Sequence, residues 1–320
     1  MLNNKYSSSN NKNNSINHPG KTGHDRASQT ATLSSSLSLP MTSSSEEEEN
    51  SSSSSSPSSP GAAYPTMVET CDRLVEKLKP KLLSMLDDNS SSPSLKQQQP
   101  TKQYWICCCG GPGSGKTTFS ELIASKLNKI KAGSTVVIPM DGYHTPKSQL
   151  VKKYGVENGL KRRGAPYTFD VDIMYNDLYN AKTSIQLNKS DNNNEDNVGA
   201  TYSLPIYSRE ISDPIPNGIT LTRNHQIVIV EGIYLLHTKD NDWKKLVNLW
   251  DEKWFIKCTT REEQINRLVA RSLKTWSKEK AATWGEGIDG ATKRVMYNDV
   301  QNMDLIAYCE SLADEIIISK

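Results

Sequence analysis

The sequence of 320 residues lacks any apolar run near the roughly 20 residues needed to cross a bilayer, so no membrane association is predicted. It also lacks an excess of either charge, because 38 Lys and Arg residues face 36 Asp and Glu residues, a formal net charge of +2. Without a basic stripe, nucleic acid is not an expected partner. None of the six cysteines forms a C-x-x-C pair, which argues against a zinc site and predicts buried thiols in a reducing compartment.

The beginning of the sequence is poor in apolar residues and rich in serine. Serine accounts for 20 of the first 60 residues, and such a stretch cannot bury enough apolar surface to offset chain entropy. We therefore predict a disordered tail over residues 1–65, which leaves 255 residues for one core. The stretch also lacks the apolar segment of a secretory signal, so a cytoplasmic location is predicted, with a mitochondrial or nuclear one left open.

The rest of the sequence is predicted to form one domain over residues 66–320. Apolar residues at helical spacing predict a helix over 67–88 with a kink at Pro80, followed by a polar linker over 90–103 and a core over 104–320. Within the core, short apolar runs alternate with amphipathic stretches, which is typical of an α/β fold with a mostly parallel sheet. Strands are predicted at 104–109, 135–139, 226–231, 253–258 and 315–318, with a further short strand at 219–221. Helices are predicted at 117–131, 171–183, 243–249, 261–273 and 291–308, and loops at 187–201 and 285–290.

A glycine-rich segment follows the first predicted strand and matches the pattern G-x-x-x-x-G-K-[ST]. Small residues there let successive backbone N–H groups surround phosphate oxygens, while Lys116 brings a cation to the β- and γ-phosphates and Thr117 offers a hydroxyl to Mg²⁺. A buried strand before the segment and a helix after it are the context that this motif requires. The predicted nucleotide-binding residues are Gly110, Gly111, Pro112, Gly113, Ser114, Gly115, Lys116, Thr117 and Thr118. The motif alone leaves kinase, ATPase and GTPase open.

Two acidic residues come directly after apolar runs that are predicted strands. Asp141 follows the run that ends at Met140, and Glu231 follows the run that ends at Val230. In sheets of this type, ligand chemistry takes place beyond the carboxyl ends of the strands. A small-molecule kinase needs one carboxylate to accept a hydroxyl proton and another to hold Mg²⁺ or its waters. The alternatives are that Asp141 is an ordinary turn residue and Glu231 a capping acid.

Several further motifs occur in order along the chain. The ordered set resembles the phosphoribulokinase, uridine kinase and pantothenate kinase family of P-loop kinases, and within it a branch of fungal ATP-dependent kinases. The resemblance implies a P-loop NTPase three-layer sandwich with a mostly parallel five-stranded sheet and a mobile lid. The segments that carry it are 110–118, 140–144, 163–166, 168–170, 207–209, 230–236 and 267–271, with Asn298, Asp299 and Asn302.

The resemblance also implies roles for matching residues. Asp141 takes the place of the general base, and Glu231 that of the acid that organises Mg²⁺. Asp170 matches an acid that hydrogen-bonds acceptor hydroxyls, and Arg267 and Arg271 match a lid that closes on the phosphates. At the position where uridine kinase grips the nucleoside base, this chain has the tripeptide 207–209 instead, so a pyrimidine nucleoside is not the expected acceptor.

Four more residues are candidate acceptor contacts. Arg163, next to Arg162, can bind a phosphate or carboxylate, or both can belong to a solvated basic face. Arg209 either faces the site or pairs locally with Glu210 or Asp213. The remaining two are Tyr143 and His144, and a lone histidine near Asp141 is more often structural.

The sequence as a whole predicts an ATP-dependent kinase that phosphorylates a hydroxyl group of a small metabolite, such as a sugar, a nucleoside or a pantothenate-like compound. ATP and Mg²⁺ are the expected cofactors, and the oligomeric state is left open. Two alternatives remain at this stage. One is an ATPase without a small-molecule acceptor, and the other is a nucleotide-binding regulatory protein.

Overall fold

The computed structural model describes residues 65–87, 103–187 and 201–320. The predicted disordered tail and the predicted linker fall outside these residues, apart from Pro65 and Gln103. The first described element is helix α1 (Met67–Asp87), which contains Pro80 and agrees with the predicted helix. Among the described helices, none is both long and apolar enough to cross a membrane.

Five parallel strands form the central sheet. The described strands are β1 (Tyr104–Gly110), β2 (Thr135–Pro139), β3 (Thr201–Ser208), β4 (Asp213–Thr222), β5 (Ile227–Gly232), β6 (Glu252–Cys258) and β7 (Glu315–Ser319). The order of the strands in the central sheet is β2-β5-β1-β6-β7. The predicted strands of the sheet are thus confirmed to within two residues at each end. Because β1 and β5 are buried along almost their whole length, they show the continuous apolar pattern expected of parallel strands covered on both faces.

Helices cover both faces of this sheet and create a three-layer sandwich. After α1, the described helices are α2 (Lys116–Ile130), α3 (Lys147–Val156), α4 (Val171–Leu187), α5 (Asn241–Lys244), α6 (Arg261–Leu273), α7 (Lys278–Trp284), α8 (Gly287–Arg294) and α9 (Val300–Leu305). On one face, α1 and α2 pack against alternate residues of β1, such as Ile106 and Cys108. On the other face, α4 packs against Trp105, Cys107 and Cys109. The three adjacent cysteines are therefore packing residues, as predicted.

An antiparallel hairpin of β3 and β4 stands apart from the central sheet. The sequence predicts only residues 219–221 of it as strand, and β3 is missed altogether. Strand β4 carries exposed residues over much of its length, so a search for apolar runs finds only its buried end at Leu221. The hairpin packs closely on the 3-10 segment Met140–Tyr143 that follows β2. The contact leaves no room for a side chain at Gly142, where an added Cβ would lie 2.5 Å from the Pro205 oxygen.

The chain between β6 and β7 is more helical than predicted. The predicted loop at 285–290 is wrong from Gly287 onward, where α8 begins, and α7 precedes it. A π-helical segment, Val295–Asp299, joins α8 to α9. Glycine-rich composition suggested a loop, but Gly285 and Gly287 have positive φ and separate two helices instead of extending one loop.

Candidate active site

The glycine-rich segment between β1 and α2 has the backbone of a phosphate-binding loop. Gly113 and Gly115 have φ of +76° and +89°, values that favour glycine. A side chain on Gly110 would lie 2.4 Å from the Ile256 oxygen of the neighbouring strand. Helix α2 begins at Lys116, directly after the loop, so its first N–H groups face the same space. Within the described part of the chain, the buried Ser114 hydroxyl finds no partner.

Thr117 and Glu231 meet at the base of this loop. The Thr117 hydroxyl donates a hydrogen bond to Glu231 Oε1 over 2.9 Å, and Glu231 is only 5% exposed. Burial raises the pKa of Glu231 and the nearby charge of Asp141 adds to the rise, while the Lys116 cation and the Thr117 hydroxyl oppose it. A hydroxyl and a carboxylate oxygen are the hard ligands that suit Mg²⁺. In the part of the chain that the structure describes, no cluster of three or more His, Cys, Asp or Glu residues forms a complete metal site.

Asp141 lies close to Glu231 because their strands are neighbours. Pro139 at the end of β2 is in register with Glu231 at the end of β5, and Asp141 follows two residues later. Its side chain is 46% exposed, in contrast to the buried Glu231. The two acids therefore lie at one edge of the sheet with different environments. One contacts the loop threonine, and the other is open to a second ligand.

His144 closes the segment that begins at Asp141. Its Nδ1 lies 2.9 Å from the Asp141 backbone oxygen and 3.9 Å from Asp141 Oδ1. The imidazole ring packs 4.0 Å from the Phe169 ring and 5.0 Å from the Tyr207 ring, measured between centroids. Burial lowers the pKa of His144, which favours the neutral form of the ring. This histidine thus has structural contacts on three sides and also borders the candidate base.

Two adjacent arginines of the predicted acceptor segment are held in place by separate partners. Arg163 donates from Nη2 to Asp213 Oδ1 over 2.7 Å, and its side chain is 11% exposed. Arg162 donates from Nη1 to the Tyr297 backbone oxygen over 2.7 Å and to Asn298 Oδ1 over 3.1 Å. The alternative of a solvated basic face is therefore wrong for this pair.

The other predicted acceptor contacts occupy different positions. Tyr143 is 2% exposed and belongs to the core beneath the site, so its side chain supports the site instead of facing an acceptor. Asp170 is exposed, and its Oδ1 accepts a hydrogen bond from the Ile173 N–H over 3.0 Å, which caps α4. Arg209 lies exposed in the turn of the hairpin. The alternative of a local ion pair with Glu210 or Asp213 is not formed among the described residues, where Asp213 binds Arg163. A contact between Arg209 and the acceptor stays a prediction.

The predicted lid arginines both lie on α6, but they point to different partners. Arg267 donates to Ser319 Oγ over 2.7 Å and to Glu263 Oε1 over 2.6 Å. Ser319 borders the phosphate-binding loop, since a Cβ on Gly115 would lie 2.9 Å from its hydroxyl oxygen. Arg271 is 61% exposed and lies 3.9 Å from Asp299, a buried acid whose pKa is raised by burial. Closure of a lid stays a prediction.

Some residues that shape the site were not predicted from the sequence. Gln264 donates from Nε2 to the Pro112 backbone oxygen over 2.7 Å and so fixes α6 against the loop. Asn298 donates to the Arg163 backbone oxygen over 2.8 Å, and Asn302 to the Gly164 oxygen over 3.1 Å. Both asparagines belong to a motif quoted above, but their contacts join residues more than 130 positions apart, which no local pattern reveals.

A cavity of about 280 Å³ opens on another side of the loop, between β6, α6 and α9. Its lining includes Gly111, Gln264 and Met303 but neither of the two candidate acids. Because neither Asp141 nor Glu231 lines it, this cavity is not the position we assign to an acceptor, although Asp304 and Glu310 lie at its wall.

Comparison with known proteins finds relatives that are named as kinases. No family model matches the chain. A provisionally named uridine kinase of Schizosaccharomyces pombe is 31% identical over 179 residues, which are 49% of this chain and 70% of that protein. An ATP-dependent kinase-like protein of Aspergillus versicolor is 27% identical over 165 residues, 52% of this chain and 85% of the relative.

A solved structure agrees with the fold. A provisionally named fructose transport system kinase from Silicibacter superposes with a TM-score of 0.56 at 23% identity. The superposition covers 79% of this chain and 99% of that chain. At this identity the likeness confirms the architecture of the sandwich only.

Proposed function

This chain belongs to the phosphoribulokinase, uridine kinase and pantothenate kinase family of P-loop kinases, and we propose that it transfers the γ-phosphoryl group of ATP to a hydroxyl group of a small metabolite. All three of these relatives are named as kinases or kinase-like proteins. The acceptor differs from one name to the next, so it has to be argued from the site of this chain.

The observation that carries the proposal is the placement of Asp141 and Glu231 at the ends of neighbouring strands. Glu231 is buried against Thr117 of the loop, whereas Asp141 is half exposed beyond it. An ATPase transfers the phosphoryl group to water and needs no second, exposed carboxylate such as Asp141, with a histidine and aromatic rings beside it. A kinase does need one, because its base must reach an acceptor hydroxyl that lies beyond the γ-phosphate.

In this arrangement each group has a separate task. The loop backbone and Lys116 bind and orient the β- and γ-phosphates, and Lys116 stabilises the negative charge that develops on them. Asp141 accepts the proton of the acceptor hydroxyl while the hydroxyl oxygen attacks the γ-phosphorus. The bond between the γ-phosphorus and the β–γ bridging oxygen breaks, and ADP leaves. We expect Arg267 to add charge stabilisation as a lid residue, because it binds Ser319 of β7, whose hydroxyl borders Gly115 of the loop.

Mg²⁺ is the expected metal of this reaction, and the residues present fit it. Thr117 Oγ1 and Glu231 Oε1 would hold the ion or its waters, with phosphate oxygens as further ligands. When bound, the ion supplies neutralisation of charge on the β- and γ-phosphates. Burial raises the pKa of Glu231 because it disfavours the charged carboxylate. A cation beside the carboxylate would offset that cost, so this acid is suited to a cationic ligand.

The proposal is tested with the full chain in a panel of hydroxyl-bearing metabolites, by measuring ATP consumption and phosphorylated product. Asp141→Asn keeps the size of the side chain and removes the proton acceptor. We expect acceptor phosphorylation to fall by about 10²–10⁴-fold, with an unchanged dissociation constant for ATP. Asp172→Asn is the matched control, because Asp172 is an exposed acid of α4 that pairs with Lys245.

Two results would contradict the assignment. ATP hydrolysis without preference for any acceptor, unchanged in Asp141→Asn, would indicate an ATPase. Loss of ATP binding in Asp141→Asn would show that this acid serves the metal, so that the division of tasks between Asp141 and Glu231 is wrong.

A further inference from the structure

We infer that the acceptor carries an acidic group, a carboxylate or a phosphate, and that Arg163 binds this group. The inference rests on the proposed kinase activity and adds the chemical class of its substrate. Three observations support it: the Arg163 side chain has N–H groups without a partner among the described residues, hydrogen bonds fix the backbone at this point, and the guanidinium lies near the residues around Asp141.

The guanidinium of Arg163 is buried with part of its hydrogen-bonding capacity unused. Its Nη2 binds Asp213, but its Nε and Nη1 are buried without a partner among the described residues. Unpaired N–H groups of a buried cation are costly, and native proteins seldom retain them without a reason. An acidic ligand that enters beside the guanidinium would supply the missing acceptor oxygens.

The backbone that carries this arginine is held by three side chains from three segments of the chain. Asn298 donates to the Arg163 oxygen, while Asn302 and Tyr234 both donate to the Gly164 oxygen, the latter over 2.7 Å. An ion pair with Asp213 alone would not need such support. Fixing the main chain at this point pre-organises the guanidinium, and pre-organisation is a common property of binding sites because it reduces the entropy lost on binding.

Arg163 also lies next to the residues that border the candidate base. Its guanidinium carbon is 5.7 Å from the centre of the Tyr207 ring, and that ring packs on His144. The His144 Nδ1 in turn lies 2.9 Å from the Asp141 backbone oxygen. An acceptor bound here would therefore have its hydroxyl at Asp141 and its acidic group at Arg163, beside the His144 and Tyr207 rings.

The test compares matched acceptors that differ only in the acidic group. The pairs are glycerate with glycerol, pantothenate with pantothenol, and ribose 5-phosphate with ribose. We expect the full chain to phosphorylate the acidic member of at least one pair with a kcat/KM about 10- to 100-fold above that of its neutral partner. Which pair responds distinguishes a carboxylate from a phosphate.

Variants then assign the preference to Arg163. Arg163→Gln is expected to raise the KM for the acidic acceptor by about 10- to 100-fold and to leave the KM for ATP unchanged. Asp213→Asn removes the ion pair but keeps the arginine, so the preference for the acidic acceptor should persist. Arg261→Gln is the matched surface control, because Arg261 makes an exposed ion pair with Asp304. If Arg163→Gln does not fold, Arg163→Lys tests the loss of the guanidinium hydrogen bonds, since it keeps the positive charge but not the guanidinium.

Specific outcomes would overturn the inference. Preference for the neutral member of every pair, or an acid preference that survives in the Arg163 variants, refutes it while leaving the kinase proposal intact. Equal losses of stability and of all activities in the Arg163 and Asp213 variants would show that the arginine only fastens the hairpin. If no acceptor of either kind is phosphorylated, the proposed function itself is wrong and the inference falls with it.

Discussion

Replacement of Gly142 by alanine tests whether the hairpin fixes the candidate base. Gly142 follows Asp141, and an added Cβ would lie 2.5 Å from the Pro205 oxygen and 2.8 Å from the Pro205 carbonyl carbon. Real Cβ atoms essentially never lie closer than 3.0 Å to such atoms, so the two backbones must separate by at least about 0.5 Å. Overpacking of this kind typically costs about 1–3 kcal/mol of the free energy of unfolding.

The expected functional effect follows from the same displacement. A misplacement of about 1 Å can reduce a rate by about 10²-fold, so we expect Gly142→Ala to lower acceptor phosphorylation by roughly tenfold. ATP affinity should not change, because the atoms nearest to an added Cβ on Gly142 belong to Pro205 and Ile206 of the hairpin and not to the phosphate-binding loop. Thermal unfolding should show a melting temperature lower by several degrees, at about 2–4 °C per kcal/mol for a domain of this size.

The control for Gly142→Ala must lose stability without disturbing the site. Gly133→Ala is suitable, because Gly133 has a φ of +72° and an added Cβ would meet nothing within 4 Å. Its cost is backbone strain of about 1–2 kcal/mol at a turn before β2. Equal loss of acceptor phosphorylation in the two variants, or no loss in Gly142→Ala despite a lower melting temperature, would refute the idea that the hairpin positions Asp141.

Three further predictions concern the loop, the buried acid and the chain before the domain. Lys116→Ala should abolish measurable ATP binding in titration calorimetry, and wild-type affinity would show that the loop is unused. The raised pKa of Glu231 means that stability falls as pH rises from about 4.5 through the folded-state pKa. Glu231→Gln should therefore raise the melting temperature at pH 7, with no gain below about pH 4.5, while weakening Mg²⁺-dependent ATP binding; a lower melting temperature at pH 7 contradicts this. Removal of residues 1–65, which contain no candidate site residue, should leave ATP affinity and melting temperature unchanged, and a clear fall in either would count against it.

Several features of the site could be predicted because they depend on neighbouring residues only. The phosphate-binding loop needs glycines at fixed positions between a strand and a helix, and the sequence contains all of these together. The positions of Asp141 and Glu231 could be predicted as well, since the end of an apolar run marks the end of a buried strand. The parallel sheet followed from the alternation of strands and helices.

The acceptor side of the site could not be predicted in this way. Arg163 and Asp213 are 50 residues apart, and only the packing of the hairpin brings them together. The hairpin itself has a half-exposed β4, so its sequence has no continuous apolar run. Tyr143 is adjacent to His144 in sequence, yet one ring faces the core and the other borders the site.

The sequence by itself thus determined the sheet, the loop and the two acids, because each is encoded by residues that are close along the chain. The tertiary structure decided that the Arg163 side chain is largely buried near the candidate base. It also decided that Asp170 caps a helix, that Tyr143 packs in the core and that Arg209 lies in a turn. The physical reason is that burial and hydrogen-bond partners depend on what a distant element covers. Gln264 and Pro112 are 152 residues apart and are nevertheless joined by one hydrogen bond at the loop.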